Sequence, residues 1–185
     1  MKADGFKIIT HMVSSLDGFI AKKDNSVSWF ETTDNYGKGL DSENPEEFLK
    51  SVGCYVMGSR TYELAEELSK DYGWVYGDKP TLVLTNRNLR SDRPNVQFYS
   101  GELGKFVEET LKPKYDNAWV VGGAELTKSF IRQGLVDEIR VYILPIILGD
   151  GLPYFDQIGQ EYPLHLLDTK AYKNGMVELC YGMRK

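Results

Sequence analysis

The stretch Ala118-Trp119-Val120-Val121-Gly122-Gly123-Ala124-Glu125-Leu126 decides the reading of the fold. Its first four residues are apolar without alternation, the pattern of a short strand buried on both faces in the middle of a parallel sheet. Two glycines then interrupt the chain. Ala124 to about Gln133 reads as a helix that stops at Gly134.

The same strand–turn–helix unit recurs upstream. Cys54-Tyr55-Val56-Met57 is a compact strand, and Gly58-Ser59-Arg60-Thr61 leads into a helix through about Leu68. Thr81-Leu82-Val83-Leu84 is a strand ending at Thr85-Asn86-Arg87, and Val96-Gln97-Phe98-Tyr99 precedes a helix from Glu102 to Leu111. Phe6 to Val13 is rich in β-formers and forms the first strand, Asp17-Gly18 is a turn, and Phe19-Ile20-Ala21 is extended. Lys22 to Asn44 is a long polar loop with Trp29-Phe30 as its large apolar anchor. Ser42 to Val52 is a short helix, with Asn44 or Ser42 as N-cap and Pro45 in its first turn. Glu138 to Leu144 alternates as a strand. Leu164–Thr169 and Met176–Met183 form a hairpin around Lys173-Asn174-Gly175. The prediction is an α/β fold: a mostly parallel central sheet with helices on both faces and an antiparallel C-terminal edge.

Composition narrows the functions. The 185 residues are 42% hydrophobic and 26% charged, ordinary values for one globular domain spanning 1–185. The 22 basic and 27 acidic residues give a net charge of −5, and a general nucleic-acid binder needs a basic excess. Two cysteines without a CxxC and two histidines are too few soft ligands for a structural zinc, so no metal is expected. Cys54 and Cys180 lie in apolar strand-like runs and are expected to be buried, reduced thiols; His11 and His165 are expected to be core or surface residues. The first 20 residues lack an apolar leader core, and the longest apolar stretch, Val141 to Leu148, is short and contains Pro145. A cytoplasmic protein without a membrane partner is expected.

Ligands of such sheets bind beyond the carboxyl ends of the strands, against helix N-termini. Three junctions carry residue types suited to phosphates: Gly58-Ser59-Arg60-Thr61, Thr85-Asn86-Arg87 and Gly122-Gly123-Ala124-Glu125. Each alone reads more readily as turn geometry or solvated charge than as a phosphate site. Three together in one small α/β domain point to a dinucleotide, although neither GxGxxG nor a Walker A string is present.

Ser15-Leu16-Asp17-Gly18-Phe19-Ile20-Ala21, Val56-Met57-Gly58-Ser59-Arg60-Thr61-Tyr62-Glu63, Thr81-Leu82-Val83-Leu84-Thr85 and Trp119-Val120-Val121-Gly122-Gly123-Ala124-Glu125-Leu126 occur in the order and spacing of the dihydrofolate reductase-like superfamily. The run from Gly134 to Gly151 resembles one branch, the C-terminal reductase domain of the bifunctional riboflavin-biosynthesis deaminase/reductase, here without a deaminase domain. The resemblance implies NADPH as hydride donor. By it, Gly58, Arg60 and Thr61 lie along the pyrophosphate and adenosine half, Thr85, Asn86 and Arg87 hold the 2′-phosphate, and Gly122, Gly123, Ala124 and Glu125 close over the diphosphate, with a cis Gly-Gly link. Ser59 stands where the superfamily often has Arg, which weakens the phosphate clamp unless Arg60 or Arg87 compensates.

The reaction implied is hydride transfer to a ribosylamino-pyrimidine or a related small imine or carbonyl, linked to riboflavin biosynthesis. Asp17 is the candidate catalytic residue, for a polar substrate or proton-relay contact, with an Asp-Gly turn as its alternative. Trp29 is a candidate pocket wall or a surface pin. Asn44 occupies the position at which dihydrofolate reductases place an acid. Asn cannot form the charge-assisted pair that a pteridine requires, so folate reduction is the alternative reaction. A non-catalytic nucleotide-binding module is the alternative from another class. Apolar residues along Val141–Leu148 are expected to face a second copy in a homodimer, with Gly149-Asp150-Gly151 nearby.

Overall fold

Short apolar runs alternating with helices leave each run two faces to cover, and a parallel sheet between helical layers satisfies both. The computed structural model, which describes residues 5–41 and 49–184, has this architecture. The strands are β1 (Lys7–Ser14), β2 (Phe19–Ala21), β3 (Cys54–Gly58), β4 (Thr81–Leu84), β5 (Val96–Tyr99), β6 (Asn117–Gly122), β7 (Glu138–Ile143), β8 (Leu152–Pro153), β9 (Leu164–Ala171) and β10 (Val177–Met183). Helix α1 spans Ser59–Tyr72, α2 spans Leu103–Lys105 and continues as π-helical turns over Phe106–Leu111, and α3 spans Ala124–Arg132. Residues 49–51 are helical. Asn44 and the predicted start of that helix lie outside the described residues.

The main sheet runs β5-β4-β3-β6-β1-β7-β10-β9. Neighbours from β5 to β7 are parallel, whereas β10 is antiparallel to both β7 and β9. The expected parallel sheet with an antiparallel C-terminal edge is therefore the observed one. A separate two-stranded ribbon pairs β2 with β8, a strand that lies between Leu144 and Leu164, where the sequence reading assigns no element. Its two residues carry no alternation from which a strand could be read.

Alternate strand residues point to opposite faces. Ile8, Val56, Leu82 and Val120 pack with Phe106 and Leu111 of the α2 segment and with Phe130 and Ile131 of α3. On the other face, Tyr55, Met57 and Val83 pack with Tyr62 of α1, and with the half-buried Trp74 and Tyr76 beyond its end. A third cluster joins Trp29 to Tyr142, Leu144, Tyr172 and Met176, pinning the long loop to the end of β7 and to the β9–β10 turn. Cys54 and Cys180 are buried free thiols. No helix among the described residues is long and apolar enough to cross a membrane.

Two buried carboxylates of the sheet are paired. Glu138, 7% exposed, accepts a hydrogen bond from Lys7 Nζ, and buried Glu178 accepts one from the Tyr172 hydroxyl at 2.6 Å. His11 sits on β1 between the rings of Trp119 and Tyr142, with centroids 5.0 and 4.5 Å away. Burial pushes its imidazole down to about 4, and the Arg140 charge acts in the same direction. The folded state thus holds neutral His11, while the unfolded chain takes up a proton near 6.5. The associated stability is present above pH 6.5 and is lost as pH falls toward about 4. Urea denaturation across that window should show a His11-dependent loss of about 3 kcal/mol, and His11→Gln should flatten that part of the pH profile.

Candidate functional site

Because β1, β3, β4, β6 and β7 are parallel, their carboxyl ends emerge along one edge of the sheet. Register places Gly58 beside Leu84, Met57 beside Gly122 and Ser14 beside Ile143. The junctions singled out in the sequence are therefore neighbours in space. Pairing on β6 moves from Val120 to Gly122 while β3 advances by one residue, so Val121 is the extra residue of a bulge. Bulges re-aim the chain at a strand end.

Gly58 and Gly123 are the N-caps of α1 and α3, and neither helix has a side-chain capping hydrogen bond. The first-turn N–H groups of a helix lack intrahelical partners and carry partial positive charge. Two such ends at the edges of adjacent strands make a place for an anion. A Cβ at Gly58 would lie 3.9 Å from the Gly122 carbonyl oxygen and the Gly123 nitrogen, and one at Gly123 would lie 3.5 Å from Thr61 Oγ1. The glycines thus leave a cradle between the starts of α1 and α3 that is free of their own side chains. The Gly122–Gly123 peptide is cis. Gly58, Ser59, Thr61, Gly123 and Ala124 are half-buried around the cradle, Gly122 is buried and Arg60 is exposed. Glu125 points to solvent and pairs with Lys128 at 3.2 Å.

The third junction lies beside the first. The Thr85 amide donates to the Tyr99 carbonyl at 2.9 Å, and Thr85 Oγ1 accepts from the Arg87 amide at 3.0 Å, fixing a hydroxyl turn. Asn86 is exposed. Arg87 is engaged. Both ends of its guanidinium donate to the Glu63 carboxylate of α1, at 2.8 and 2.6 Å. The sequence reading did not single out Glu63, because its partner lies 24 residues away and no local spacing connects them.

On the β1 side, Asp17 acts as an anchor. Its Oδ1 accepts from Ser15 Oγ at 2.6 Å and from the Leu148 amide at 3.1 Å, and Oδ2 accepts from the Gly149 amide at 2.7 Å. These bonds, that of Ser15 foremost, hold its carboxyl below the usual range, so at neutral pH it carries no proton to donate. Leu16 N–H to Ile146 O at 2.8 Å, the β2–β8 ribbon and a Lys23–Asp150 ion pair complete a flap over the ends of β1 and β7. Trp29 is 4% exposed. Its ring is covered by its own chain and pins the loop, leaving almost no surface to wall a pocket. Of the run Val141–Leu148, expected to face a second copy, Tyr142 and Leu144 are buried within this chain, Val141, Ile143, Ile146 and Leu148 are half-buried, and Ile147 is exposed. Tyr142 and Leu144 are covered by Trp29, Tyr172 and Met176.

Comparison with known proteins gives this geometry a family. Residues 6–178 match the RibD C-terminal domain, and the Bacillus subtilis (strain 168) protein YwjB is 30% identical over 175 residues, covering 95% of this chain and 97% of that protein. The chain belongs to the RibD C-terminal domain family. Among solved structures, a Shewanella sp. PV-4 protein provisionally assigned to riboflavin biosynthesis superposes with a TM-score of 0.83 at 22% identity, covering 97% of this chain and 99% of that one. Dihydrofolate reductase from Enterococcus faecalis superposes with a TM-score of 0.59 at 15% identity, with 97% of each chain covered. The RibD-type domain thus has the dihydrofolate reductase-like fold that the sequence motifs implied.

In this RibD-type chain the Asp17 carboxylate ties the Leu148 and Gly149 amides into the flap, which gives a direct test. Asp17→Asn should speed hydrogen exchange at the Leu148 and Gly149 amides while leaving β4 amides unchanged. In the parent protein the same protection should persist from neutral pH downward and fail only below pH 3.8, because the Asp17 pKa is depressed.

Proposed function

We propose that this chain is an NADPH-dependent reductase that transfers hydride to a small imine or carbonyl, with an open-chain ribosylamino-pyrimidine as the leading substrate class. The observation that carries the reading is the bare glycine cradle between two helix N-termini without side-chain caps, at the carboxyl edge of a parallel sheet. Membership of the RibD C-terminal domain family supports the reductase class, and the structurally similar Enterococcus faecalis dihydrofolate reductase is complexed with NADP(H).

In this reading the amides after Gly58 and Gly123 bind the diphosphate, with the Thr61 hydroxyl beside them. Thr85, Asn86, Arg60 and Arg87 face the adenosine end. A bound dinucleotide would supply a hydride for the imine carbon, and the imine nitrogen would take its proton from solvent. The protein's own contribution is orientation of the two reactants. Asp17 contributes by holding residues 148–149 over the end of β1, and Ser14 and Ser15, both buried there, fix the floor beneath. No side chain near the flap is required as an acid, which suits a reaction whose single proton can come from solvent.

A second copy of the chain is the proposed partner. β9 is the last strand of the sheet, and Leu164, Leu166 and Leu167 on it are exposed. An edge strand with exposed leucines is suited to pairing with its own copy about a two-fold axis. Leu166→Lys should shift a dimer toward monomer in sedimentation velocity; an unchanged dimer would place the contact elsewhere.

The cofactor reading is tested by thermal and calorimetric titration. NADPH at about 100 times its Kd should stabilise the protein by roughly 2.7 kcal/mol. Gly123→Val should remove that stabilisation while the protein keeps a cooperative unfolding transition, because its methyl groups would project from the floor of the cradle. Retained NADPH stabilisation in that variant would sink the assignment. With cofactor bound, NADPH oxidation should respond to ribosylamino-pyrimidines and not to dihydrofolate.

A further inference from the structure

The pair Glu63–Arg87 raises a question that the phosphate-clamp reading leaves open. Arg87 sits in the turn after β4, where a 2′-phosphate would need a cation, yet both donor arms of its fork are bonded to one carboxylate. The pair is on the surface, with side chains 55% and 44% exposed. Neither partner is locked by burial, and an incoming anion can compete. Arg60 also favours the ionised carboxylate through space. One guanidinium is thus bonded to the carboxylate, Arg60 adds positive charge one helical turn away on α1, and Ser59, between Gly58 and Arg60, contributes no charge.

We propose that Glu63 sets the dinucleotide preference of this chain, by holding the Arg87 fork away from the 2′-phosphate of NADPH while leaving NADH binding unaffected. The inference rests on the dinucleotide reading of the cradle. Its logic is a balance of charge. A 2′-phosphate brings about two negative charges to the site and must displace Glu63 from Arg87 or share the cation with it. A ribose 2′-hydroxyl brings none, and the existing pair can stay as it is. Glu63 thus acts through Arg87, as a positioning residue. The expected consequence is a chain that discriminates between the two dinucleotides less than the cations in this region would suggest.

The experiment is calorimetric titration of NADPH and NADH into the parent protein, Glu63→Gln, Arg87→Ala and the double variant. Glu63→Gln should tighten NADPH by about threefold to fivefold, the scale of an exposed ion pair, and leave NADH within error. Arg87→Ala should weaken NADPH selectively. In the Arg87→Ala background the gain from Glu63→Gln should vanish, since additivity fails where two residues act as one unit. Raising the salt concentration several-fold should shrink the gain, as for any solvent-exposed charge pair. An equal change for both dinucleotides, no change for either, or a gain that survives without Arg87 would overturn the inference while leaving the reductase reading standing. A parent protein that binds neither dinucleotide would overturn both.

Discussion

Parallel pairing of β3 with β6 places Met57 beside Gly122, and the candidate site is built outward from that contact. A parallel sheet brings every strand's carboxyl end, and the start of each helix that follows, to the same edge. Two helix N-termini come together there, at Gly58 and Gly123, with the turn after β4 alongside. The bulge at Val121 belongs to the same constraint, since it lets β6 gain a residue just before its glycines without losing pairing with β3.

That arrangement has a stability cost. A Ser, Thr, Asn or Asp at an N-cap contributes about 1 kcal/mol over an apolar residue, and Gly gives back most but not all of it. Both helices forgo the side-chain bond at the cradle. The apolar faces of the same helices compensate: Phe130 and Ile131 of α3 are fully buried against one side of the sheet, and Tyr62 of α1 is buried against the other. The helices are held by their flanks, which frees their ends for a ligand.

The second half of the site is organised differently. On the β1 and β7 side no helix follows the strand end directly. β1 turns back at Gly18 into the short ribbon, and the segment after β7 is tied down by Asp17 and by β8. Side-chain-to-backbone bonds do here what helix dipoles do across the sheet. A carboxylate bonded to backbone amides is a poor proton donor, and the bonds of Asp17 tie the flap together.

The sequence by itself determined the local elements of this protein, because they depend on local chemistry. Thr81–Leu84 and Val96–Tyr99 were legible to the residue, being short apolar or β-forming runs between turn residues, and the Gly58 and Gly122-Gly123 junctions announced themselves by their glycines. Motif spacing also carried the fold family. What only the tertiary structure decided are the relations between groups distant in the chain. Asp17 reaches amides 131 and 132 residues away, Glu63 meets Arg87 across 24, and Trp29 disappears into a cluster with residues of β7 and the β9–β10 turn. An exposed-looking Asp-Gly, a helical Glu or a loop Trp has the same local signature whatever it touches. Its role is fixed by strand order and register, which arise from burial of the whole sheet and leave no mark at any one residue.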